Sequence, residues 1–170
     1  AHLTRELFTY RGAGTLVRKG ESINIVKDPD AETLDIVKKL VEQSFGRTLR
    51  DDWYENLNEP MVLLSETGRA AAVLTSGVNG LPYLDKFVVT SAAQGEGLGA
   101  AIWQVLRARY PALYWRSRYT NPVTPWYFLQ ADSSNRSGQW VVFTIGVKEA
   151  ASREQCVEDS LSRDSGWIPE

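Results

Sequence analysis

Four short stretches of this chain hold the residue types able to do chemistry. In the first, an apolar run ending Phe87-Val88-Val89 enters a turn dense in glycine, Gln94-Gly95-Glu96-Gly97-Leu98-Gly99, which passes directly into a helix-like run. Glycine lets backbone N–H groups converge with no Cβ in the way, and a helix N-terminus adds partial positive charge. Together they predict a cradle for a phosphate or pyrophosphate. A Walker loop would end in Gly-Lys-Ser/Thr, and none is present. Gly95-Glu96-Gly97 with Ala100 fits a loose dinucleotide fingerprint, but three hairpin-like strands precede it where a strand–helix–strand unit is required. A glycine turn holding no ligand is the plain alternative.

The second stretch is Tyr114-Trp115-Arg116-Ser117-Arg118. On a strand, Arg116 and Arg118 share a face at about 6.6 Å along the chain. Guanidiniums so placed repel unless an anion lies near, and each can grip a carboxylate through two parallel N–H bonds. Two surface arginines on an edge strand would look the same. The third is Asp85-Lys86, a charged pair interrupting the apolar run just before the glycine turn; strand alternation predicts that they face opposite sides, one of them toward a cavity. Lys86 could bind a carboxylate or simply pair with an acidic neighbour. The fourth is Asn121-Pro122-Val123-Thr124-Pro125-Trp126-Tyr127-Phe128. Its prolines send the chain stiffly into a short helix. Trp126 and Phe128 read as core, while the Tyr127 hydroxyl could donate a proton to a leaving thiolate. His2 lies in the N-terminal stretch and Cys156 in a charged tail, so neither makes a good catalyst. No His, Cys, Asp or Glu set has metal-ligand spacing.

These stretches need elements to position them. Ser22–Lys27 alternates like a strand, and Asp30 offers an N-cap to an amphipathic helix over residues 31–44, ended by Gly46. A second short helix is expected over Asp51–Asn56. Met61–Ser65 and Ala70–Ser76 read as a hairpin, followed by a strand at Tyr83–Val89. A helix from about Gly97 to Arg109, a strand at Ala112–Arg118, a helix N-capped by Thr124 and a strand at Gln139–Val147 complete the order. From Lys148 onward a helix could pack on the edge or fray. This order predicts a mixed α/β domain, one sheet with helices on both faces.

Bulk properties narrow the class. A chain of 170 residues with 43% hydrophobic residues, six Trp and seven Tyr, predicts one domain with a packed core. The net charge of −2 leaves no footprint for nucleic acid or an anionic membrane, so basic residues must act locally. A single cysteine excludes an internal disulfide and fits a reducing compartment. No apolar run approaches a membrane span and no secretory leader opens the chain, which predicts a cytoplasmic protein. Residues 1–20 read as a tail or inherited linker, 21–147 as the domain, and 148–170 as a charged C-terminal segment.

The motifs YLDKFVV, QGEGLG, WRSR, TNP and PWYF, in this order and spacing, resemble the C-terminal acetyltransferase domain of N-acetylglutamate synthases of the vertebrate type and of the bifunctional bacterial synthase/kinases. Gln94, Gly97 and Gly99 match the acyl-CoA loop of GNAT acetyltransferases. The likeness covers roughly residues 21–147, and residues 6–20 resemble the end of an amino-acid kinase domain. It implies a GNAT acyl-CoA N-acyltransferase fold, a mostly antiparallel sheet with a V-shaped splay between two central strands. Acetyl-CoA would lie there as co-substrate, its pantetheine on Phe87, Val88 and Val89 and its pyrophosphate on Gln94 through Gly99 (Gly95, Glu96, Gly97 and Leu98 between). The resemblance places L-glutamate on Arg47, Lys86, Arg116, Arg118 and Asn121, with Asn121 and Tyr127 as the catalytic pair. Arg47 stands where relatives often carry lysine. Acetyl transfer to the glutamate α-amine, a step of arginine biosynthesis, is the expected reaction, without a metal. The expected partners are a covalently linked kinase domain and, through an open sheet edge, a second copy. An acetyltransferase for another small amino acid, or a non-catalytic acyl-CoA or amino-acid sensor, is the alternative.

Overall fold

The computed structural model describes residues 21–169. The expectation for residues 1–20 lies outside the described residues. The chain opens with β1 (Ile23–Val26). Asp30 then caps α1 (Ala31–Phe45), its carboxylate accepting from the Thr33 N–H at 2.8 Å. Such a cap is worth ~1 kcal/mol. Gly46 ends the helix in the left-handed conformation, φ 63°. Val37, Leu40 and Val41 form its buried stripe, as their spacing requires. The helix expected over Asp51–Asn56 does not form. That segment is a run of turns with Trp53 buried at its centre, and burying one large ring replaces the regular ladder.

Next come β2 (Met61–Ser65), β3 (Ala70–Ser76) and β4 (Pro82–Val89), then α2 (Leu98–Arg109), β5 (Leu113–Arg118), α3 (Thr124–Gln130), β6 (Ser133–Ser137), β7 (Trp140–Ile145) and α4 (Ala150–Ser162). They build one seven-stranded sheet in the order β1-β2-β3-β4-β5-β7-β6. Every neighbouring pair is antiparallel except β4 and β5, which run parallel. One strand is unexpected, and one expectation needs correction. β6 (Ser-Ser-Asn-Arg-Ser) has no apolar alternation; it is an edge strand that pairs with β7 through the backbone ladder and through the Ser133 and Thr144 hydroxyls. Thr124 is the first helical residue rather than the cap, a place taken by Val123. Its hydroxyl is used elsewhere, donating to the Arg118 carbonyl at 2.7 Å beside Ser117 Oγ at 2.9 Å.

Alternation along the strands sorts the core into two layers. Leu63, Ala70, Ala72 and Leu74 meet α2 and α3 on one face, through Leu98, Ile102, Trp103, Leu106, Trp126 and Tyr127. Val62, Ala71, Val73 and Val88 meet α1 on the other. That second face continues under α4, where Tyr83, Tyr114, Val147 and Cys156 pack together.

Two irregularities shape the middle of the sheet. Val73 pairs with Lys86 but Leu74 pairs with Leu84, so Asp85 is an extra residue, a β-bulge. Leu84 and Phe87 therefore lie in the same core layer although three positions apart. Asp85 and Lys86, expected on opposite faces, fall on the same one: Lys86 Nζ sits 3.0 Å from Asp85 Oδ2. The second irregularity is that β4 and β5 share a single register pair, Tyr83 with Tyr114. Beyond it the two strands part.

Candidate active site

Where β4 and β5 part, a cavity of about 520 Å³ opens. Its walls include Tyr83 to Val89 on one side and Trp115 to Arg118 on the other. Of the residues singled out from the sequence, Arg47, Lys86, Phe87, Val88, Val89, Gln94, Arg116, Arg118, Asn121 and Tyr127 all line it. Gly95, Glu96, Gly97, Leu98 and Gly99 do not; Gln94 is where the glycine loop meets the cavity. Within that loop Gly95 and Gly97 have positive φ, 90° and 79°, and Gly97 opens α2. The first intrahelical bond is Ala101 N–H to the Gly97 carbonyl, so the amides of residues 98–100 precede the helical ladder. Leu98 sends its side chain into the core, and the Glu96 carboxylate is held by Arg69 at 2.9 Å. From Gly95 to Gly99 the backbone is what is left to meet a ligand.

The cationic wall is built on the α1/α4 face. Lys86 is 7% exposed and donates to Asp85 Oδ2 at 3.0 Å and to the Ser165 carbonyl at 2.8 Å. Asp85 also accepts from Trp53 Nε1 at 3.0 Å on that same oxygen. Arg116 is half-buried and donates to the Ser160 and Arg163 carbonyls at 2.6 and 2.8 Å. Arg118 is exposed and donates to Gln139 Oε1 at 2.6 Å. Both guanidiniums lie over the Trp140 ring, 4.1 and 4.8 Å from its centroid. Arg47 stands over Trp167 at 5.3 Å, and its buried Nε meets no acceptor among the described residues. Four cations and one carboxylate thus face the cavity, with the charge in clear positive excess.

Tyr127 comes from the opposite face, where α3 packs its ring against Trp103, Trp115, Trp126 and Phe143. Loss of water around the phenol pushes its pKa well above the ordinary tyrosine value of 10.0, so it stays protonated at neutral pH. Asn121 braces the turn before α3: its N–H donates to the Arg118 carbonyl at 2.9 Å and its Oδ1 accepts from Val123 N–H at 3.2 Å.

Sequence reasoning passed over Trp140, Ser165 and Trp167, which also line the cavity. A tryptophan inside an otherwise polar C-terminal stretch was the available signal for Trp167. Among the described residues, no group of three or more His, Cys, Asp or Glu could hold a metal, and no helix is long and apolar enough to cross a membrane.

A family model described as NAT, the N-acetyltransferase of N-acetylglutamate synthase, matches residues 20–163. The chain belongs to this family. A Xanthomonas campestris protein named acetylglutamate kinase is 41% identical over 96% of this chain and 39% of its own length. The mitochondrial N-acetylglutamate synthase of Danio rerio is 40% identical over 97% of this chain and 32% of its own length, and that of Homo sapiens 42% over 86% and 28%. This NAT domain therefore spans about a third of the length of the curated relatives it matches. Among solved structures, a GNAT-family acetyltransferase from Bacteroides thetaiotaomicron superposes with a TM-score of 0.63 at 10% identity, covering 87% of this chain and 99% of that one. The ribosomal-protein-S18-alanine N-acetyltransferase of Escherichia coli gives 0.55 at 13%, covering 76% and 97%. The NAT domain has the GNAT fold, with a mostly antiparallel sheet, helices on both faces and a splay between β4 and β5.

Proposed function

We propose that this NAT domain moves the acetyl group of acetyl-CoA to the α-amine of L-glutamate, forming N-acetyl-L-glutamate for arginine biosynthesis. One observation carries the reading: Arg47, Lys86, Arg116 and Arg118 converge on a cavity whose far side bears a protonated phenol. Such an excess of positive charge suits an acceptor with two carboxylates and repels a polyamine. Beyond their single register pair the edges of β4 and β5 part, which suits the extended pantetheine arm. The free amides at the start of α2 suit the pyrophosphate.

In this reading the glutamate amine, once deprotonated, attacks the thioester carbonyl directly. A C–N bond forms, the C–S bond breaks, and the departing thiolate takes the Tyr127 proton. The ammonium's first proton leaves through Asp85 or a chain of water, and the second, released as the amide forms, returns to the Tyr127 phenolate. Holding the two reactants together supplies most of the acceleration. Asn121 would orient the acceptor from the turn before α3. Cytoplasmic location, a kinase domain ahead of residue 21, association through an open edge at β1 or β6, and a catalytic body that includes the segment after residue 147 belong to the same proposal.

The test is a steady-state assay with acetyl-CoA and a panel of amino acids, with the product read by intact mass. Glutamate should be preferred and gain one acetyl group. Preference for a cationic acceptor, or binding of acetyl-CoA with no turnover at saturating glutamate, would overturn the proposal.

A further inference from the structure

The cavity's cationic end is closed by chain that follows α4. Ser165 and Trp167 line it, and this strap is fastened to the loop after α1 by three contacts: Arg50 N–H to the Gly166 carbonyl and Ile168 N–H to the Thr48 carbonyl, both at 2.8 Å, and an ion pair between Arg50 and Asp164 at 2.7 Å. Gly166 takes φ 85° and lies so close to Trp53 that a Cβ there would meet Cδ1 at 2.3 Å. The strap's path is thus dictated by its neighbours.

Trp167 touches two of the four cations at once. Its ring centroid is 5.3 Å from the Arg47 guanidinium and 5.2 Å from Lys86 Nζ, and Phe45 packs against it at 5.2 Å. An aromatic face attracts a cation through its quadrupole but carries no net charge. It can therefore fix the direction of Arg47 without neutralising it, which a carboxylate in the same place would do; for Lys86, already paired with Asp85 at 3.0 Å, it adds a second contact that brings no further negative charge. The indole also keeps water from this end of the cavity, and that strengthens any ion pair formed there.

We infer that Trp167 is a positioning residue for the acceptor: it aims Arg47 and Lys86 and seals the end of the cavity that receives the acceptor's carboxylates. The inference rests on the proposed glutamate transfer and assigns the C-terminal strap a share in acceptor specificity.

Initial rates of the complete protein should be measured over glutamate and acetyl-CoA for the unaltered chain, Trp167→Ala and Trp167→Phe. Trp167→Ala should raise the glutamate KM about tenfold or more, leave the acetyl-CoA KM within about twofold, and lower kcat much less. Trp167→Phe keeps an aromatic face and should restore the glutamate KM to within about threefold. An unchanged glutamate KM in Trp167→Ala overturns the inference, as does an equal rise in both KM values. If Trp167→Ala does not fold, the phenylalanine variant compared with Trp167→Leu decides: equal glutamate KM values for an aromatic and an aliphatic side chain overturn it. Should the unaltered protein fail to acetylate glutamate, the proposed function falls first, and that outcome is separate from any effect of Trp167.

Discussion

Tyr127 keeps its proton because nothing around it can solvate a phenolate: Trp103, Trp115, Trp126 and Phe143 crowd its ring. In the proposed reaction it donates to the leaving thiolate, and it should then be needed for turnover and not for binding. Tyr127→Phe is expected to lower kcat about 100-fold while both KM values stay within a few-fold, measured by initial rates. Arg116 differs, since its two N–H groups already serve the Ser160 and Arg163 carbonyls. An acceptor carboxylate has to compete with those carbonyls or share the guanidinium with them. Arg116→Lys keeps the charge and loses the fork, so the glutamate KM should rise roughly tenfold with acetyl-CoA affinity retained. At this scale the sequence was highly legible where residue types were unusual for their setting: the charged pair inside an apolar run, and two arginines on one strand. It failed for Asp85, because one extra residue in a strand reverses facing and leaves no mark in composition.

The elements that carry these side chains were readable to the extent that their signals were local. Asp30 and Gly46 bracket α1 by chemistry visible in the sequence, and the Met61–Ser76 hairpin follows from strand lengths and its turn. β6 escaped because its five residues carry no apolar alternation, only backbone pairing with the strand that follows; the turns around Trp53 escaped because they depend on distant partners, the strap glycine and Asp85. The strap was hidden for the same reason, its contacts joining residues more than 100 positions apart. Gly166 is its least replaceable member. Gly166→Ala combines a left-handed backbone with a clash against Trp53, and should destabilise the fold by about 2–4 kcal/mol, read from denaturant midpoints. Acid offers a gentler probe of the same fastening. The Gly166 N–H and the Arg50 guanidinium hold the Asp164 carboxyl below its ordinary 3.8. A depressed carboxyl contributes stability above its unfolded pKa and loses it as pH falls through the folded value, so this contact should persist at neutrality and fail only in strong acid.

At the scale of the molecule, three buried phenols set the alkaline limit. Burial raises Tyr83, Tyr114 and Tyr127 above the ordinary 10.0, Tyr114 to about 12 with the Asp159 carboxylate beside it as a second cause. On unfolding each would ionise near its ordinary value, so the unfolded chain holds fewer protons above that pH and stability must decline as pH rises further. Thermal midpoints should be flat through neutrality and fall from about pH 10 upward, with phenolate absorbance appearing together with unfolding. The parting of β4 from β5 carries a last consequence. Phe87 on one strand and Trp115 on the other both rest on Trp103 of α2, at 5.7 and 5.4 Å between ring centres. That indole does not line the cavity, yet it bears on one residue of each wall, as a wedge does. Shaving the wedge, as in Trp103→Leu, should raise the acetyl-CoA KM of the proposed reaction, read from initial rates, without altering any lining residue.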